Sequence, residues 1–218
     1  MEPTTRKVVH RSPSRTARRL HLPMLQPEPI EADSSVERDF VYVAALFSRT
    51  KKIVHQPFRL VWPDQSYTPD FLLEFDDGSR IVVEVKPETK VAAHAELHSR
   101  ASAKLTAHGM HFLVANDTVL RRDGRAERAA VIRRYAKSAV DPDQMSRVME
   151  IIRGNGGQVR IGHLLERGLT RSTIYQLICK HEIQPDAALS LSVESSVCLV
   201  QPEVGENHAI QFVRWLDL

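Results

Sequence analysis

Apolar and polar residues alternate most strictly between Phe71 and Lys86. Phe71, Leu73 and Phe75 alternate with Asp70, Leu72 and Glu74, and Ile81, Val83 and Val85 alternate with Arg80, Val82, Glu84 and Lys86. A period of two in β-branched and aromatic residues predicts two strands. Asp76-Asp77-Gly78-Ser79 predicts the turn that joins them. Directly opposed residues of a hairpin share a face, so odd-numbered residues must oppose odd-numbered ones. A slip of one residue would put an apolar row in water. Paired numbers must therefore sum to an even value. The expected loop is Asp77-Gly78-Ser79, with Asp70 roughly opposite Lys86 and on the same face as Glu84 and Lys86.

Helical periodicity brackets this hairpin. Val36, Phe40, Val43, Ala44 and Phe47 make an apolar stripe behind an N-cap at Asp33 or Ser34. Ile53 to Trp62 reads as another strand, Thr89 to His108 as an alanine-rich helix stopped by Gly109, and Met110 to Ala115 as a last strand. The order is αβββαβ, an α/β fold with a mixed sheet. The crossover rule places the last strand parallel to the Glu84 strand.

Val140-Asp141-Pro142 marks a boundary. Beyond it come a helix over 144–153, a short strand at Val159 and Ile161, a short helix over 163–167, a helix capped by Thr170 and running to Lys180, and an alternating ribbon from Leu189 to Val200. That is the element order of a winged helix. Phe212 to Leu216 reads as a closing strand or a partner contact. The expected division is an arm over 1–30, a core domain over 31–138 and a small winged-helix-like domain over 139–218.

Charge sharpens the division. Residues 1–138 carry 23 Lys+Arg against 17 Asp+Glu, and residues 139–218 carry 7 against 10, so the overall net of +3 hides a basic front and a mildly acidic tail. Arg6, Lys7, Arg11, Arg15, Arg18 and Arg19 face only Glu2 in the first 23 residues. Such a segment suits a flexible arm on phosphates, a partnerless tail or, less well, an organellar presequence interrupted by Pro13 and Pro23. Arg121, Arg122, Arg125, Arg128, Arg133 and Arg134 crowd one helix, which suits either a DNA backbone or a solvated face. Two cysteines, Cys179 and Cys198, are too few for a disulfide framework or a zinc site and point to a reducing cytosol. No apolar run approaches the ~20 residues of a membrane span.

The hairpin also carries the candidate chemistry. Asp70 and Glu84 converging on one face are hard oxygen ligands for Mg²⁺ or Mn²⁺. Lys86 beside them suits orienting or deprotonating a water, or stabilising charge on a phosphate. The alternative is an ordinary Lys–Glu pair on a solvated face. Glu37 has two readings as well: metal support, or closure of the capping box Ser34-Ser35-Val36-Glu37. His94 and His98 lie four apart on one helix, with no third ligand evident.

Helix glutamate, Pro69-Asp70 and Glu84-Val85-Lys86 in an αβββαβ order resemble the restriction-endonuclease-like PD-(D/E)xK nucleases. The longer strings Ser34-Ser35-Val36-Glu37-Arg38-Asp39-Phe40, Gln56-Pro57-Phe58, Tyr67-Thr68-Pro69-Asp70-Phe71 and Val83-Glu84-Val85-Lys86 resemble the TnsA family, endonuclease subunits of heteromeric cut-and-paste transposases. The resemblance covers about the first two-thirds of the chain in motif order. It implies Glu37, Asp70, Glu84 and Lys86 as the catalytic set. Charge alone offers Arg18, Arg19, Arg121, Arg122 and Arg125 as DNA contacts, whereas the resemblance would place Mg²⁺, with Mn²⁺ as a substitute, on the three carboxylates and the Val85 carbonyl. It further implies cleavage at transposon 5′ ends in a bacterial cytoplasm, with a TnsB-like DDE transposase and a TnsC-like AAA+ ATPase as partners, and a winged-helix-like C-terminal domain. That domain's negative charge favours docking or weak DNA positioning over groove reading. The rivals are a stand-alone restriction or repair nuclease with the same core, and an inactive DNA-binding or scaffold protein.

Overall fold

A helix buried almost all round and a central strand pair buried on both faces set the architecture. The computed structural model describes residues 1–3, 18–200 and 207–218. Helix α1 (Ser35–Ala44) starts where Ser34 Oγ accepts the Glu37 N–H at 3.1 Å. Its stripe of Val36, Phe40, Val43 and Ala44, with Phe47 just beyond, is wholly buried. Four strands follow: β1 (Thr50–His55), β2 (Phe71–Phe75), β3 (Arg80–Lys86) and β4 (His111–Asn116). They lie side by side in that order. β1, β2 and β3 are antiparallel neighbours, and β4 runs parallel to β3 after the crossover through α2 (Ala95–Thr106). The protein is thus mixed α/β with a mixed-orientation sheet.

The odd-numbered face of the hairpin, with Phe71, Leu73, Phe75, Ile81 and Val83, packs under α1 and α3 (Arg125–Ile132). The even-numbered face is not solvated: Leu72 and Val82 are buried beneath Ala101 and Leu105 of α2 in a second core. The hairpin parity is even, as expected, but the register is two lower. Phe71 pairs with Val83 and Leu73 with Ile81, which puts Asp70 across from Glu84 rather than Lys86. The loop is Asp76-Asp77-Gly78, closed by the Phe75 N–H on Ser79 O at 3.0 Å. Gly78, at φ 82, takes the left-handed conformation this tight loop demands.

Other expectations change. Ile53 to Trp62 is not one strand. Gln56 turns to φ 43 before Pro57, so β1 stops and Phe58–Val61 joins a separate small sheet with Glu2–Pro3 and Ser66–Tyr67. The expected arm over 1–30 departs from a flexible arm at its described end. Arg18–Leu20 pairs with Ile30–Ala32, and Leu20, Leu22 and Ile30 are buried. Arg6, Lys7, Arg11 and Arg15 lie outside the described residues.

The C-terminal region runs α4 (Pro142–Gly154), β5 (Gln158–Arg160), α5 (Ile161–Glu166), α6 (Arg171–Cys179), β6 (Ile183–Pro185) and β7 (Ser196–Leu199). β7 lies between β5 and β6, antiparallel to both. Ile161 opens a helix instead of continuing a strand, and the ribbon expected over 189–200 is made by 183–185 and 196–199. Phe212 to Leu216 is helical: α7 (His208–Leu216) begins at the Asn207 cap and sends Phe212 into a ring cluster with Phe40, Phe47 and Phe75. Ala209, Phe212 and Leu216 fall at helical spacing and are all buried, which selects the helix. No described helix is long and apolar enough to cross a membrane, and neither Cys179 nor Cys198 forms a disulfide.

Candidate active site

The hairpin register delivers the polar residues to one end of the sheet. Asp70 enters β2 directly after Pro69, and Glu84 and Lys86 finish β3. Asp70 Oδ2 accepts the Val85 N–H at 2.8 Å. Lys86 Nζ stands 2.6 Å from Glu84 Oε1 and 3.5 Å from Asp70 Oδ2. The hydroxyl of Tyr67 donates to the other Glu84 oxygen, Oε2. Glu84 is 2% exposed, so both its oxygens are satisfied inside the protein.

These contacts set the protonation states. Burial, and then the Glu84 charge, push Asp70 up to about 8, against the pull of Lys86. Burial alone would lower Lys86, but Asp70 and Glu84 outweigh it and leave the amine raised. Lys86 therefore stays an ammonium, suited to holding negative charge rather than accepting a proton. Burial and the Glu84 charge push the Tyr67 phenol far up, so it remains a donor.

Glu37 serves its own helix. Its oxygens accept the Asp33 N–H at 2.7 Å and the Ser34 hydroxyl at 2.9 Å. Burial raises it despite those bonds, and His55 Nε2 sits 4.0 Å away. Among the described residues, the group of three possible ligands lying within 4.8 Å of one another is Asp76, Asp77 and His208, not Glu37, Asp70 and Glu84. The Asp76–Asp77–His208 group is already joined by a 2.5 Å His208 Nδ1–Asp76 Oδ1 pair and a 2.9 Å bond from the His208 N–H to Asp77, and so clips α7 to the hairpin loop. His98 faces the site from α2, where burial lowers it and the Glu84 charge opposes that, while His94 is exposed.

The arginines expected on DNA are mostly occupied within the protein. Arg121 Nε binds Asp39 at 2.7 Å and its other end reaches Ser35. Arg122 pairs with Asp217. Arg125 is 3% exposed, donates to Leu216 O at 3.1 Å, and is lowered by burial. Arg122 and Arg125 thus close onto the end of the C-terminal helix through Asp217 and Leu216 O, while Arg128 donates to Ala188 O and Asp123 O. Arg19 pairs with Glu31, and Arg18 is exposed.

Sequence reasoning passed over Tyr67 as a site residue. Its signal was position alone, three residues before Asp70 in an otherwise polar run. No protein-family model matches the chain, and no curated protein matches it.

The donor set fits a hard divalent cation. Asp70, Glu84 and the backbone at Val85 offer oxygen. Asp70 and Glu84, with Glu37 close enough to raise Asp70 further, stand against the single cation Lys86. Burial raises Asp70 most, and the Glu84 and Glu37 charges add to it against the pull of Lys86.

Proposed function

We propose that the chain is a Mg²⁺-dependent DNA endonuclease subunit of a TnsA-like transposase, hydrolysing phosphodiesters at transposon 5′ ends. The observation that carries this reading is the placement of Lys86 Nζ 2.6 Å from Glu84 and 3.5 Å from Asp70, at the ends of two adjacent antiparallel strands. The αβββαβ order around a mixed sheet supports a restriction-endonuclease-like core, and the order of α4 to β7 supports a winged-helix-like C-terminal domain.

Asp70, Glu84 and the Val85 carbonyl would hold Mg²⁺ or Mn²⁺. The bound ion would polarise the phosphoryl group and acidify a water. The protein's own residues do the rest. Lys86, kept charged by two carboxylates, neutralises charge growing on the phosphate and orients the attacking water. Asp70, which holds its proton to about pH 8, would have to lose it to ligate a cation, so ion binding would be favoured as pH rises. Glu37 fixes the start of α1 beside the site through its bonds to Asp33 and Ser34.

In this reading a TnsB-like DDE transposase cuts the other strand and a TnsC-like AAA+ ATPase couples both to target choice. The test is a cleavage assay on end-labelled transposon-end DNA, with the partner transposase and Mg²⁺. Mg²⁺-dependent nicking at 5′ ends, lost in Lys86→Ala and Asp70→Ala, supports the reading. Nicking unchanged in either variant, or absent with the partner present, overturns it.

A further inference from the structure

Glu84 is gripped at both oxygens, and only one grip belongs to the proposed chemistry. Lys86 holds Oε1 at 2.6 Å and the Tyr67 hydroxyl holds Oε2. Tyr67 is 9% exposed, in the second core with Leu60, Leu72 and Val82. It ends a two-residue strand, Ser66–Tyr67, whose register against Phe58–Val61 pairs Tyr67 with Leu60 and Ser66 with Val61.

That small hairpin is fastened to α2. The Arg100 guanidinium makes two 2.8 Å bonds to Asp64 at its tip, and Lys104 Nζ donates to Val61 O at 2.5 Å. The Arg100 and Lys104 charges each lie 5.1 Å from the Trp62 ring, which sits between Val61 and Asp64 in the chain. The phenol is therefore presented from a braced element. The chain then runs through Thr68-Pro69 straight into Asp70.

We propose that Tyr67 is the positioning residue for Glu84: its hydroxyl holds Oε2 so that Oε1 stays turned toward Lys86 and Asp70 as the oxygen offered to a divalent cation. This deepens the nuclease reading and rests on it. Tyr67 acts only through Glu84. A ligand carboxylate oriented in advance by a buried donor loses less freedom on binding, and removing such a donor weakens metal affinity by about 10–100-fold.

The experiment is Mn²⁺ binding measured by calorimetry without DNA, on the full chain and four variants: Tyr67→Phe, Asp70→Ala, Glu84→Ala and the Tyr67→Phe/Glu84→Ala double variant. Binding that Asp70→Ala abolishes defines the site. Tyr67→Phe is expected to weaken that binding by about 10–100-fold, in a protein that circular dichroism shows to be folded at the assay temperature even though the orphaned Glu84 oxygen lowers its melting temperature. In the Glu84→Ala background the same change is expected to have no further effect, because its route of action is gone. Tyr67→Phe binding within about twofold of the unmutated protein, or an undiminished loss in the Glu84→Ala background, overturns the assignment and leaves the nuclease reading standing. No Mn²⁺ binding sensitive to Asp70→Ala in the unmutated chain overturns both.

Discussion

Val85 donates its backbone N–H to Asp70 Oδ2 across 2.8 Å, which locks the carboxylate at the start of one strand to the backbone of the next. In an extended strand the N–H and C=O of a residue face the same neighbour. The Val85 carbonyl therefore lies on the Asp70 edge of β3, where the resemblance to metal-dependent nucleases asks for it. Glu84 and Lys86, to either side of Val85, project from the strand face instead. One three-residue stretch thus serves two directions at once.

Lys86 is the residue whose loss should separate binding from cleavage. Lys86→Met removes the charge and keeps the stem. Cleavage is expected to fall by about 10²–10³-fold, the scale for losing one charge-stabilising donor in a closed site. Mn²⁺ affinity is expected to hold or rise, because Glu84 and Asp70 lose the cation that competes for them. Single-turnover nicking and calorimetry on the same preparation check both halves.

Asp70 sets a pH dependence whose sign is fixed. Its native value of about 8 lies above the ordinary 3.8, so the native state takes up a proton between the two. The stability held with Asp70 protonated is complete below about 4 and is lost steadily as pH climbs toward 8. Asp70→Asn is expected to be more stable than the unmutated protein by roughly 1–3 kcal/mol above pH 8 in chelator, with the gap closing as pH falls. Urea unfolding at several pH values reads it. Added Mg²⁺ should stabilise the unmutated protein and not the variant.

Phe212 tests whether the C-terminal helix belongs to the sheet's core. It is fully buried, with ring centroids 6.5 Å from Phe40, 5.5 Å from Phe47 and 5.6 Å from Phe75. Phe212→Ala is expected to cost about 3–5 kcal/mol and to move the whole protein's transition. Coincident circular dichroism and tryptophan fluorescence curves would show this. A separate early transition that leaves the sheet folded would contradict it.

Arg125 should matter for folding and not for DNA. Its buried guanidinium donates to Leu216 O at 3.1 Å. Arg125→Met is expected to cost about 1–3 kcal/mol in urea unfolding, through the orphaned carbonyl. The slope of DNA affinity against salt should not change, since no phosphate contact is removed.

The hairpin shows how far periodicity reaches. Parity is legible because a one-residue slip would expose Phe71, Leu73 and Phe75. A shift of two residues keeps every side chain on its face, so Asp70 opposite Lys86 and Asp70 opposite Glu84 look alike until the Asp76-Asp77-Gly78 loop is seen to close on Ser79. The break at Gln56 was hidden for a different reason, since a non-glycine residue at φ 43 leaves no mark in composition. The convergence of Asp70, Glu84 and Lys86 was readable from local pairing alone. The fate of the basic helix was not. Whether Arg122 and Arg125 meet phosphates or Asp217 and Leu216 O depends on a contact more than 90 residues away in the chain. Short-range patterns carry no information about such a partner.

The placement of α7 governs when the protein's core can be completed during its synthesis. The rings that pack against the four-stranded sheet come partly from Phe212, made after every strand of that sheet and after all of the region from α4 to β7. A ribosome that has finished β4 therefore holds a sheet whose apolar face is covered by α1 but still lacks Phe212. Phe212 reaches that face only once the region beyond residue 207 has emerged. A nascent chain long enough to contain Asp70, Glu84 and Lys86 then still lacks part of the core on which their strands rest.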